Sequence, residues 1–265
     1  MSNRFDKISI VERFGLDPRG RIMDNLATVE SRIHAACDRV GRPRSSVRLL
    51  PVTKTLPAEI VRLAIDIGMT TLGENKVQEA VGKSQSLMGL GVRWCVIGHL
   101  QTNKVKQLVS FASEFQALDS LRLASLLNER LIEAGRTLDV FVQVNTSGEA
   151  SKYGILPDEV AALVAELPHF PALRPRGLMT LAILKGRPDE VRGCFRRLRE
   201  VRDRLQRSYP GCGIELLSMG MTSDFEIAIE EGADIVRVGQ AIFGKRPTKD
   251  GYFWPGLPLN TRRTD

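Results

Sequence analysis

At 265 residues, with 43% apolar and 26% charged side chains, the chain can build one large α/β domain and is too apolar to be disordered. Its apolar runs are too short to span a bilayer and MSNRFDKISIVERF lacks a signal-peptide core, so the cytoplasm is the expected location and no membrane partner is expected. The formal charge of +7 invites a nucleic-acid reading, but in the densest basic stretch, RGCFRRLREVRDRLQR, the apolar residues recur at helical spacing and the arginines read as a solvated face. No aromatics interleave with them, and nucleic acid is not expected as a partner.

The chain then alternates two periodicities. A helix is predicted over 21–40, followed by a strand at 47–53 and a helix at 57–67. Further strands are predicted at 69–72, 93–97, 115–118, 139–144, 176–181, 214–218 and 235–238. The helices between them fall at 74–87, 101–111, 121–134, 157–167, 188–207 and 223–231. Pro157-Asp158-Glu159 and Ser223-Asp224 with Glu226 read as helix starts. Eight strands alternating with helices predict an α/β fold, a single (β/α)8 TIM-like barrel with an extra N-terminal helix. An open doubly wound sheet is the alternative. The dinucleotide fingerprint is missing after the first strand, and Gly82-Lys83-Ser84 fails as a phosphate loop because Val77 holds the required upstream glycine position. The expected organisation is an extension at 1–20, the barrel at 21–246 and a Pro- and Gly-rich tail at 247–265.

Cys37, Cys95, Cys194 and Cys212 form no C-x-x-C pair, and His34, His99 and His169 form no H-E-x-x-H or triad-like grouping, so no metal site is expected. Functional groups of a barrel gather where strands end. The first strand ends at Lys54, the second leads to Gly73-Glu74-Asn75, and the seventh leads to Ser218-Met219-Gly220-Met221-Thr222-Ser223. The eighth carries Arg237-Val238-Gly239. Free backbone N–H groups, hydroxyls and glycines after strands seven and eight read as a phosphate site. A lysine on the adjacent first strand then suggests a phosphorylated aldehyde, held by a desolvated amine. Lys76, Lys104 and Lys152 compete less well, being placed near helix starts or in a polar loop where water could reach them.

The blocks VTKT, GENKVQE, WCVIGHLQTNK, QVNTSGEASKYG, RGLMT, LSMGMTSDF and IVRVGQAIFG together resemble the pyridoxal-phosphate homeostasis protein family, in order over about residues 22–246. The resemblance implies a barrel like the N-terminal domain of alanine racemase (fold type III of the pyridoxal-phosphate proteins). It implies pyridoxal 5'-phosphate (PLP) as cofactor, held as a reversible aldimine on Lys54 and buffered or delivered. Carried over by position, Asn75 lines the ring, Ser218, Met219, Thr222 and Gly239 cradle the phosphate, and Arg237 faces the pyridine nitrogen or the phosphate. The family's G-M-S-x-D stretch appears here with Thr222 as the hydroxyl. No catalytic residue is assigned, apo-forms of PLP-dependent enzymes are the implied protein partners, and a monomer or weak dimer is expected. The alternative is an amino-acid racemase using Lys54 and a second base. Of the three tyrosines, Tyr153 alone falls in a predicted mouth loop, and the chain leaves no room for a racemase's C-terminal β-domain.

Overall fold

The computed structural model describes Val11 and residues 14–244; the expected tail at 247–265 and most of the extension at 1–20 lie outside the described residues. Eight parallel strands run in the order β1 (Arg48–Pro51), β2 (Thr71–Glu74), β3 (Arg93–Val96), β4 (Glu114–Leu118), β5 (Leu138–Gln143), β6 (Leu173–Met179), β7 (Leu216–Ser218) and β8 (Ile235–Val238). Each pairs in parallel with its sequence neighbour, and β1 pairs with β8. A bridge from Val52 to Gly73, with the Thr53 N–H donating to Gly73 O at 2.9 Å, joins β1 to β2 and closes the ring. The open doubly wound alternative is thereby excluded.

The helices surround the strands: α1 (Pro18–Arg39), α2 (Ala58–Asp66), α3 (Val77–Ser86), α4 (Val105–Phe111), α5 (Leu121–Glu133), α6 (Val160–Glu166), α7 (Pro188–Ser208), α8 (Phe225–Glu230) and α9 (Gln240–Phe243). Their starts follow local chemistry. Asp17 accepts from the Gly20 N–H ahead of α1, and Ser120 accepts from the Leu123 N–H ahead of α5. Pro188 opens α7, and Glu190 bonds back to the Arg187 N–H. β4 and β5 are buried along their whole length, as strands covered on both faces must be. Val191, Phe195, Leu198, Val201 and Leu205 form the buried stripe of α7.

The arginines of α7 lie on the solvated face, none of them buried, and several also hold partners on neighbouring elements. Arg192 bridges Glu230 and Glu231, and Arg199 also reaches Glu231, which is itself buried. Arg197 donates to Thr146 O. Much of the basic face is therefore committed to tying α7 to its neighbours.

α1 clasps the end of the barrel. Asn25 donates to Ile242 O, Arg32 pairs with Glu226 and lies over the Phe225 ring, and Arg39 pairs with Glu230. Just beyond α1, Arg42 donates to Ile229 O and Ala233 O. This helix starts at Pro18, three residues before the predicted position. Among the described residues, no helix is long and apolar enough to cross a membrane, and no group of three or more His, Cys, Asp or Glu side chains could hold a metal.

Candidate functional site

The barrel interior is crossed by polar contacts between strands that are not neighbours. Arg48 on β1 gives two hydrogen bonds to Glu114 on β4, at 2.6 and 2.9 Å. Glu114 Oε1 also accepts from Cys95 Sγ on β3 and from Gln116 Nε2. Gln116 Oε1 accepts from Ser218 Oγ on β7, and Ser218 Oγ accepts from Arg237 Nη1 on β8, both at 2.7 Å. Arg237 Nη2 donates to Thr180 O, also at 2.7 Å. These bonds fix which side chains face the lumen. Arg237 is in register with Leu50, so Leu50 faces the lumen as well.

Alternation along β1 then sets the direction of Lys54. Thr53 points outward, since its hydroxyl donates to Glu74 Oε1, which is bonded to Lys83 on the external helix α3. Lys54 is half-buried in the turn just past the strand end, where continued alternation would set it on the side of Leu50 and Arg237. Thr55, next in sequence, has φ of 65°, the left-handed region that a β-branched residue seldom occupies.

The loops after β7 and β8 adjoin this end of β1. Gly220 has φ of +92°, and a Cβ there would lie 2.6 Å from Ala228 Cβ, so only glycine fits. At Gly239 a Cβ would come within 3.0 Å of Val52 O, which brings the β8 loop against the base of the Lys54 segment. Thr222 Oγ1 accepts from the Ala241 N–H at 3.4 Å and links the two loops. Among the described residues, the N–H groups of Thr222, Ser223 and Gly239 have no hydrogen-bond acceptor. Backbone donors without a described acceptor, glycine backbone and a hydroxyl at adjacent strand ends form a cradle that could hold an anion.

The predicted residues divide within this geometry. Thr222 and Gly239 belong to the cradle. Met219 is buried, with its N–H donated to Ile235 O. Ser218 is also fully buried, and its hydroxyl is engaged by Gln116 and Arg237 one layer below the loop. Arg237 is enclosed in the lumen; burial draws its guanidinium down to about 10, so it stays charged at neutral pH. Asn75, past the end of β2, sits against Gly98, where a Cβ would meet Asn75 O at 2.1 Å. Asp224 is raised by burial, and its carboxylate reaches back to the Met221 N–H at 2.6 Å, bracing the β7 loop where a forward cap of α8 was expected.

Three further residues stand differently from the sequence reading. Lys152 is almost wholly covered, donating to Ala182 O at 2.9 Å and pairing with Glu149. His99, to which the sequence reading gives no role, stacks on Tyr153 with ring centroids 3.9 Å apart, and its Nδ1 lies 3.4 Å from Asp119. Gln116 was missed altogether. Its signal was an amide alternating with Glu114 in a strand otherwise apolar, which a fully enclosed polar layer requires.

Comparison with known proteins agrees with the barrel fold. Residues 25–247 match the family model described as alanine racemase, N-terminal domain. A pyridoxal phosphate homeostasis protein of Aquifex aeolicus is 41% identical over 223 residues, covering 84% of this chain and 97% of that protein. The structure of PipY from Synechococcus elongatus PCC7942 with PLP bound superposes with a TM-score of 0.75 at 33% identity, over 84% of this chain and all of that one. An alanine racemase of Clostridium difficile 630 shares the fold at 16% identity and a TM-score of 0.69, with 58% of its length covered.

Proposed function

This chain belongs to the pyridoxal phosphate homeostasis protein family, and on that premise we propose that it binds PLP reversibly through Lys54 and holds it in reserve for apo-enzymes. When bound, that cofactor supplies an aldehyde that condenses reversibly with a primary amine, with loss of water, and a phosphate that needs hydrogen-bond donors. The residues present fit both demands. The observation that carries the reading is the closure of β8 against β1, which brings the N–H groups of Thr222, Ser223 and Gly239, without an acceptor among the described residues, beside the strand end that leads into Lys54.

Thr222, Ser223 and Gly239 would hold the phosphate, with Gly220 letting the loop turn. Lys54 would bond the aldehyde carbon, and Asn75, across the β1–β2 seam, would line the ring. Ser218 and Met219 support from below: Ser218 by fixing Arg237, Met219 by filling the floor under the loop. Arg237 supplies a fixed positive charge to that floor. A cation there opposes protonation of a nearby pyridine nitrogen, which favours retention of the cofactor over carbanion chemistry. We therefore read the chain as a non-catalytic carrier acting in the cytoplasm rather than as a racemase.

The visible absorption of protein purified with PLP tests the assignment. The wild type should show the band of a lysine-linked cofactor, and Lys54→Ala should lose it while keeping its far-UV circular dichroism. An unchanged band in the variant would overturn the role of Lys54. Deuterium wash-in at Cα across a panel of amino acids separates carrier from racemase; rapid exchange dependent on Lys54, with inversion, would favour the enzyme.

A further inference from the structure

Outside the lumen, between β1, β2 and α3, lies a second lysine that the cofactor reading does not use. Lys83 is buried on α3. Its ammonium has three acceptors: Thr53 O at 2.7 Å, Glu74 Oε1 at 2.7 Å and Glu79 Oε1 at 2.6 Å. Thr53 Oγ1 donates to the same Glu74 oxygen at 2.5 Å, and the Thr55 N–H donates to Glu79 Oε1 at 2.5 Å. The cluster thus grips the carbonyl of the residue before Lys54 and the N–H of the residue after it. Thr53 is also held from its own N–H by Gly73 O.

These contacts explain the left-handed Thr55. A β-branched residue is strained in that region and persists only where its surroundings impose it. Here the bond from the Thr55 N–H to Glu79 and the bond from Lys83 to Thr53 O impose it from both sides. The peptide planes flanking Lys54 are fixed, and so is the direction in which its side chain leaves the backbone.

We propose that Lys83, acting with Glu74 and Glu79, is a positioning residue that aims Lys54 into the barrel mouth. The inference rests on the PLP reading for its functional meaning, but its geometric content concerns the protein alone. Removing the cluster lets the segment 53–55 relax, and the Lys54 amine moves relative to the anion cradle. A displacement of about 1 Å at a reacting group is worth up to about a hundredfold in rate.

The deciding variant is the neutral double substitution Glu74→Gln with Lys83→Met, which leaves neither of those two charges buried without its partner. Two measurements are made on the full chain. The first, on apo-protein, is the acetylation rate of Lys54 by mass spectrometry, normalised to the exposed Lys185. The second is PLP affinity from the visible band. The expected result is a Lys54 acetylation rate changed by about threefold or more and PLP affinity weakened by about tenfold or more, with secondary structure retained.

A folded double variant that matches wild type in both would overturn the proposal. If the double variant does not fold, Glu79→Ala decides, since Glu79 is partly exposed and its loss frees the Thr55 N–H. It should weaken PLP binding and change the Lys54 acetylation rate, and unchanged values would be equally fatal. Lys54→Ala separates the two levels. If that variant keeps the visible band, the assignment of the cofactor to Lys54 is wrong; if it loses the band while the cluster variants behave as wild type, only the positioning role is.

Discussion

Glu74 offers a test that reads as a slope. Its carboxylate is enclosed between β2 and α3, and burial lifts it from an ordinary 4.5 to about 7 against the opposing attraction of Lys83. At about 1.4 kcal/mol per pH unit, keeping it ionised costs the folded state roughly 3 kcal/mol. The folded chain keeps this proton up to about pH 7, whereas the unfolded chain releases it near 4.5. The penalty is therefore absent below 4.5, grows as pH rises through that interval, and is complete above 7. Glu74→Gln has no proton to lose. Urea unfolding of both proteins between about pH 5 and about pH 7.5 should show the wild type losing stability with pH more steeply, by up to about 1.4 kcal/mol per unit. Asp119, Asp224 and Asp234 are also raised by burial but are common to both proteins, so the difference isolates Glu74. Parallel curves would refute the claim that burial outweighs the Lys83 charge.

Gly220→Ala should cost about 2–4 kcal/mol, from a left-handed φ and a Cβ forced onto Ala228, and should weaken PLP binding; thermal melts and a PLP titration check this. A variant with wild-type stability would mean that the loop can relax. Phe195→Ala empties a fully buried position on α7 and should cost about 3–5 kcal/mol by denaturant unfolding, with little effect on PLP affinity.

Much of the barrel is legible because enclosed strands and amphipathic helices carry different periodicities. The departures have local causes. β6 begins at Leu173, ahead of the prediction, through Arg174, Pro175 and Arg176, a stretch that looks wrong for a strand. Both arginines pair with Asp139 on β5 at the far end of the barrel, which turns an apparent loop into strand. α3 starts at Val77 rather than 74, since Gly73 and Glu74 are taken by pairing with β3. α6 starts at Val160 and ends in a short 3-10 turn through Pro168, so Pro157-Asp158-Glu159 forms a preceding turn. The four-residue α9 is too short for periodicity to reveal.

At the site, Lys54 and the two glycine loops are visible as strand-end chemistry. The state of Ser218 is not, because its hydroxyl is committed by Gln116, more than a hundred residues away. Lys83 carried one legible cue, Glu79 one turn earlier on the same helix face. Its other two partners come from β1 and β2 and emerge only when the barrel closes.

The clasp formed by α1 bears on how the molecule is made. Asn25, Arg32, Arg39 and Arg42 reach partners between 187 and 217 residues further along the chain. As the polypeptide emerges, α1 must wait through the synthesis of seven strands before α8 exists to dock on, and of all eight before α9 does. Its apolar stripe, with Ile22, Val29 and Ile33 fully covered in the finished fold, is uncovered throughout that interval. Completion of the barrel and retirement of that exposed stripe are thus one late event. Nascent chains stalled before β8 should bind chaperones through α1, and those released after α9 should not.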